Sequence, residues 1–267
     1  MSMLFQRIES TAARGAQGLA AEARDALARA LLALRRDDGG FAGLDGRSDP
    51  YYTLFAWLSL RALGVPYDRA GLCAFMRERR SRASGIDAWC ARLLPDVEAG
   101  GSGARSGLAG LLRGDAYGAL LSLLAARRAP RWLYRLAWAR LAQAGPAAAC
   151  ARWPTPRLAA GLLVAEGAGR AAADVRRALE SRRRPGGGFA SAAEAPADLL
   201  ATAVSRFALG ATGEADTTRA DLAFVEACWL EDGLFGPVPA ARTGDAEHTF
   251  YGLLALGTCR WPEDGFV

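Results

Sequence analysis

Apolar residues fall along the chain in runs of helical length, and glycine and aspartate punctuate them in a recurring order. The last third shows the order most plainly. Asp232-Gly-Leu-Phe235-Gly interrupts one run, and Asp245-Ala-Glu-His-Thr-Phe-Tyr opens another that stays apolar until Gly257. The same succession occurs at Asp38-Gly-Gly-Phe41, followed by Ser48-Asp49-Pro-Tyr-Tyr-Thr53 and a closing Gly64. It occurs again at Gly187-Gly188-Phe189, followed by Asp198-Leu-Leu-Ala-Thr202 and Gly210. From the Phe to the closing Gly the three copies measure 23, 21 and 22 residues, and a fixed period of this kind means stacked copies of one supersecondary unit. Within a unit the glycines supply positive φ for a tight reversal, the Phe anchors that loop on the core, Asp caps the next helix and the terminal Gly stops it.

Each unit is therefore an outer helix, a glycine loop and an inner helix. Extending the pattern predicts outer helices near 19–35, 67–80, 104–113, 131–144, 170–183 and 216–229, and inner helices near 50–63, 86–95, 115–127, 156–167, 199–209 and 246–256. Between residues 65 and 170 the glycine loop is lost, and the pairing there rests on helix punctuation alone. The class is all-α, with six helical hairpins in one domain spanning 1–267, an N-terminal extension over 1–18 and a C-terminal tail over 258–267. Six copies of alternating direction close into a ring, with parallel inner helices whose N-termini crowd around one mouth.

Composition changes this picture little. At 51% hydrophobic, 267 residues suffice to bury a large single core. The chain has no Lys and no Asn, only two Ile (Ile8 and Ile86), and a great excess of Ala, Arg and Gly. That bias suggests a GC-rich coding sequence, so the net charge of +5 says little about an acidic partner. The arginine clusters at 77–80 and 182–184 sit at predicted outer-helix ends, where cations favour the helix dipole. No aromatics interleave them, so they read as solvated helix ends and not as a nucleic-acid surface. The start carries no apolar leader segment, and no run approaches the roughly 20 apolar residues of a membrane span. Cys73, Cys90, Cys150, Cys228 and Cys259 form no C-x-x-C and read as small buried hydrophobes in a reducing compartment. A cytoplasmic protein without a transmembrane segment is the expectation.

The glycine-phenylalanine loops followed by Asp-x-x-x-Thr helices resemble the repeat shared by protein prenyltransferase β subunits and squalene/terpenoid cyclases. The resemblance implies an (α/α)6 toroid around an apolar cavity, an isoprenoid or similar lipophilic ligand, and, for the transferases, a helical partner subunit. Asp245-Ala-Glu-His248-Thr-Phe-Tyr251-Gly-Leu253 resembles the β-subunit motif in which the His is a ligand of the catalytic zinc. The resemblance places the other ligands, an Asp and a Cys, where this chain has Asp198-Leu-Leu200, so a divalent metal is implied while its thiolate is missing. The same segment resembles the Asp-x-Asp-Asp-Thr of proton-initiated cyclases, with Glu247 at the proton-donating position. Three functions follow as expectations: a divergent prenyltransferase-like enzyme, an acid-initiated cyclase, or a toroid that binds a lipid or partner without catalysis.

The residues that carry these expectations have structural readings too. Asp198, Asp245 and Asp49 sit where N-caps belong, and Glu247 in the first turn favours the helix dipole. His248, the chain's sole histidine, shares a helix face with Gly252 and Ala255, so it either permits close packing or looks into open space. Tyr251 completes the candidate catalytic set. Tyr52, Phe55, Trp89, Tyr117 and Phe207 lie on inner helices, where aromatics serve as core or line a cavity that suits a polyprenyl chain or a carbocation. Arg157, in the first turn after Trp153-Pro-Thr-Pro156, is the expected side-chain partner for an anion at the mouth, with Arg47 and Arg242 next.

Overall fold

In the computed structural model, which describes residues 3–82, 85–99, 131–143, 150, 152–210 and 215–259, the three glycine-phenylalanine loops fold alike. An antiparallel bridge joins each Phe to the residue six before it, Arg35 to Phe41, Arg183 to Phe189 and Trp229 to Phe235. The Phe N–H is then caught by the Thr one turn into the following helix: Thr53 Oγ1 accepts from Phe41 at 2.8 Å, Thr202 Oγ1 from Phe189 at 2.9 Å and Thr249 Oγ1 from Phe235 at 3.2 Å. All three Thr are fully buried, as are Phe189 and Phe235. A buried donor left unmade costs far more than the bond yields, so the Asp-x-x-x-Thr spacing has a cause. Asp caps the helix while Thr, four residues on, fastens the loop to it.

Eleven helices and one short strand pair occur among the described residues. The helices are α1 (Met3–Gly18), α2 (Ala21–Ala33), α3 (Pro50–Leu63), α4 (Arg69–Arg79), α5 (Gly85–Glu98), α6 (Arg131–Gln143), α7 (Thr155–Ala168), α8 (Ala173–Glu180), α9 (Leu199–Leu209), α10 (Ala215–Ala227) and α11 (Ala246–Leu256). The strands β1 (Phe189–Ala190) and β2 (Ala197–Asp198) pair antiparallel, with Phe189 opposite Asp198. The helices expected over 104–113 and 115–127, with Tyr117, lie outside the described residues. Elsewhere the expected hairpins are present: α2 packs on α3, α4 on α5, α6 on α7, α8 on α9 and α10 on α11.

The inner helices pack in the order α5, α3, α11, α9, α7, and they run the same way. Tyr51 at the start of α3 bonds Glu247 at the start of α11, whereas Arg206 near the end of α9 bonds Thr258 just after α11. Arg7 of α1 spans Glu166 near the end of α7 and the Phe207 carbonyl near the end of α9. Asp49, Asp198 and Asp245 thus lie at one end, as N-caps whose carboxylates accept from backbone N–H groups of the first turn. First and last repeats touch twice, through α3 on α11 and through the turn at Gly233, which rests on Ala26 and Ala30 of α2. Gly39 makes the equivalent approach to Gly71 of α4, and φ of +86° and +79° at Gly39 and Gly233 suits only glycine.

The N-terminal residues form α1, which crosses the C-terminal ends of the inner helices. Arg14 donates to the Gly257 carbonyl at 3.1 Å and Arg61 of α3 donates to Glu9 at 2.7 Å. A side chain at Gly257 would strike the Thr11 carbonyl, and one at Gly15 the Leu253 carbonyl, so two glycines let α1 lie directly on α11. Arginines 182–184, expected at a solvated helix end, are built into the structure instead. Arg182 is 3% exposed and donates to the Trp153 carbonyl, and Arg184 donates to the Ala195 carbonyl at 2.8 Å. Arg183 pairs with Asp221. Loop carbonyls turned away from water need donors, and arginine supplies several from one side chain.

Candidate functional site

Parallel inner helices enclose a cavity of about 570 Å3. Tyr51, Leu54, Phe55 and Leu58 of α3 line it at helical spacing, as do Phe250, Tyr251 and Leu254 of α11 and Leu200, Val204 and Phe207 of α9. Pro156, Arg157, Ala160 and Leu163 of α7 and Ile86 and Leu93 of α5 continue the wall, and Phe5 and Ile8 of α1 close its far end. The aromatic rings meet at angles: Tyr51 lies edge-on to Phe55 at 4.8 Å between centroids, and Phe55 stands 5.3 Å from Tyr251. Arg157 is the charged residue among the described lining. Its guanidinium stacks on Trp153 at 4.3 Å, and its Nε is buried with no hydrogen-bond partner among the described residues.

At the N-terminal rim the carboxylates gather. Glu247 lies one turn before Phe250 and Tyr251 on α11, is 8% exposed, and reaches the cavity wall through the Tyr51 hydroxyl, which it accepts at 2.5 Å. Burial raises its carboxyl above the usual range; the Tyr51 bond and the His248 charge pull it back only in part. Asp198 is raised likewise by burial, against the Ala201 N–H, Ser191 and His248. Tyr52 is pushed up to about 12 by burial and by Asp245, Glu247 and Asp49. His248 is not among the lining residues: one turn on, Gly252 packs against the Phe235 ring, and the His248 Nδ1 lies 2.8 Å from Asp245 Oδ2.

Phe55, Phe207, Tyr251 and Arg157 are on the cavity wall, and Asp198, Asp245, Glu247 and His248 come together at its rim. Tyr52 and Trp89 pack against the core instead, while Arg47 and Arg242 lie exposed in their loops. Tyr51, Phe250, Phe5 and Ile8 are lining residues that the sequence reading passed over. Tyr51 had a signal, since it falls three, four and seven residues before Leu54, Phe55 and Leu58.

Asp245, Glu247 and His248 present possible ligand atoms within 4.8 Å of one another, which invites the question of a metal. Their donors are engaged: Asp245 accepts the His248 N–H with Oδ1 and meets the ring with Oδ2, and Glu247 Oε1 takes the Tyr51 hydroxyl. The position expected to hold a thiolate, Leu200, is part of the apolar wall. The five cysteines are buried and free, with burial pushing Cys228 up to about 12. The donor set fits a hydrogen-bonded acid–base cluster better than a closed four-ligand zinc site. Elemental analysis of purified protein is expected to find no stoichiometric tightly held zinc.

Burial opposes a proton on His248, but the bond to Asp245 and the charges of Asp245, Glu247 and Asp198 outweigh it, so the net shift is upward. With one histidine in the chain, NMR titration of the imidazole reads this directly, and its midpoint is expected above the ordinary value of about 6.5. The proton then stabilises the fold fully below the unfolded midpoint, a contribution lost as pH rises through the folded one. A midpoint below 6.5 would mean that burial wins. No protein-family profile matches the chain, and no curated protein sequence matches it significantly.

Proposed function

We propose that the chain is an (α/α)6 toroid enzyme that takes an isoprenoid or similar long apolar substrate into its central cavity and acts on it by proton transfer from Glu247. The cavity carries this reading. Its volume lies within the range of small-molecule sites, and its wall is almost wholly apolar with a few polar groups at one end. Parallel inner helices and the contacts between first and last repeats support the closed ring.

For the chemistry, burial shifts Glu247 toward its protonated form, the form that can act as an acid. Tyr51 fixes its orientation. The Glu247 proton adds to one carbon of a terminal alkene, the neighbouring carbon becomes the cation, and the carboxylate is left behind. Later loss of a proton from the rearranged cation restores the charge balance. Faces of Tyr51, Phe55, Phe250 and Tyr251 stabilise positive charge along the wall.

Arg157 favours a second reading, prenyl transfer. An arginine stacked on Trp153 at the cavity wall suits a diphosphate head, and its place in the first turn of α7 puts that head at the N-terminal end of the cavity.

Binding and turnover separate these ideas. Farnesol and farnesyl diphosphate are expected to bind the wild-type chain, measured by calorimetry, and Val204→Trp, which fills the cavity, should abolish binding. Unchanged binding in Val204→Trp would put the ligand elsewhere and end the cavity reading. Glu247→Gln should bind farnesol normally yet yield no cyclised product by gas chromatography. Diphosphate release that persists in Glu247→Gln and is lost in Arg157→Gln would favour transfer over protonation.

A further inference from the structure

The helix that closes the cavity has a hollow on each side. Phe5 and Ile8 of α1 face the central cavity. Gln6, Glu9, Ser10 and Ala13, on another side of the same helix, face a second hollow of about 560 Å3 bounded by Arg61, Ala62, Gly64, Val65 and Tyr67. Both sets keep helical spacing, so one straight helix serves two spaces. Leu58 and Phe250 line both hollows. They form a partition one side chain thick.

That partition is apolar and unbraced by polar contacts. Phe250 is 4% exposed, and its ring is held by other rings, 5.6 Å from Phe55 and 5.8 Å from Tyr251. Leu58 is 8% exposed. Moving either side chain breaks no hydrogen bond, whereas the wall beyond is fixed by charge: Arg61 donates to Glu9 at 2.7 Å in the lining of the second hollow. That hollow reaches solvent at Gly64, which is exposed. Opening the partition roughly doubles the space available to one ligand.

The geometry points to Leu58 and Phe250 as determinants of ligand length: a tail longer than the central cavity displaces Phe250 and continues along α1 into the second hollow. This rests on the reading that the central cavity is the ligand site. An apolar tail fits the partition because its passage exchanges one apolar contact for another, while the polar rim of Glu9 and Arg61 marks where an apolar tail stops. The side chains at the partition thus discriminate by size, as a hydrophobic wall does.

The experiment is a length series, farnesol, geranylgeraniol and solanesol, titrated into wild type, Phe250→Ala and Leu58→Ala. Wild type is expected to favour one length and weaken beyond it. Removing Phe250 should raise the affinity for the longest alcohol relative to the shortest by about tenfold, and Leu58→Ala should act in the same direction should Phe250→Ala fail to fold. Adding Ala62→Trp, which fills the second hollow, should cancel that gain without touching farnesol binding. An unchanged length profile in both alanine variants, with farnesol still bound, overturns the length determinant alone. Failure of every alcohol to bind wild type, or full binding by Val204→Trp, overturns the cavity reading with it.

Discussion

Asp221→Ala is expected to lower the free energy of unfolding by about 3–5 kcal/mol, the range for breaking a buried ion pair by removing one partner. Asp221 on α10 is fully buried. Its Oδ1 accepts the Gly188 N–H at 2.9 Å, and its Oδ2 takes both Arg183 and Arg206. Arg206 is itself 7% exposed and also bonds Thr258. One carboxylate therefore joins the glycine loop, an inner helix, an outer helix and the turn after α11. Without it, a buried guanidinium loses its counter-charge and a loop N–H its acceptor. Chemical denaturation checks this. A loss within about 1 kcal/mol would place the pair in the solvated class and disprove the structural role. Because replacing a whole buried network by apolar groups is often neutral, Asp221→Leu combined with Arg206→Met should recover part of the loss.

Phe235→Ala is expected to cost a similar amount, about 3–5 kcal/mol, as a large-to-small change in a packed core. The ring is fully buried, lies edge-on to Trp229 at 5.0 Å, and sits where a side chain on Gly252 would collide with it. Glu247→Gln supplies the contrast. Burial disfavours the charged carboxyl, and Gln keeps an acceptor for Tyr51, so the melting temperature should hold or rise while turnover falls. At neutral pH the sign follows from linkage: a carboxyl raised by folding weakens stability once pH passes its unfolded midpoint, and the amide removes that cost. Should Glu247→Gln unfold the chain as Phe235→Ala does, Glu247 is a structural residue and the acid role fails.

Much of the architecture was legible because it is repeated. Three loops with the same Phe, Asp and Thr spacing predicted the inner helices over 50–63, 199–209 and 246–256, and α3, α9 and α11 have those limits. Where the glycine loop is absent, helix punctuation still located α4, α5, α6 and α7. Capping by Asp49, Asp198 and Asp245 was likewise local, a matter of one side chain and the next turn.

The site was less legible, because facing is decided by neighbours. Tyr51 and Tyr52 are chemically alike and adjacent and both pack against the core, yet only Tyr51 is among the cavity lining; helix rotation against α11 and α5 chooses between them. His248 carried the most chemistry in the sequence, but it is bonded to Asp245 and is not part of the cavity lining. The role of residues 3–18 depended on contacts far along the chain, from Arg7 to Glu166 and from Arg14 to Gly257. Arginines that read as solvated helix ends proved to hold loop carbonyls and Asp221. By itself, then, the sequence determined the helices, their caps and the loops that join them, since those rest on local spacing and backbone chemistry. Only the tertiary structure decided which side chains face the cavity, what closes its floor and which charges are buried, since each depends on packing between segments that the chain keeps far apart.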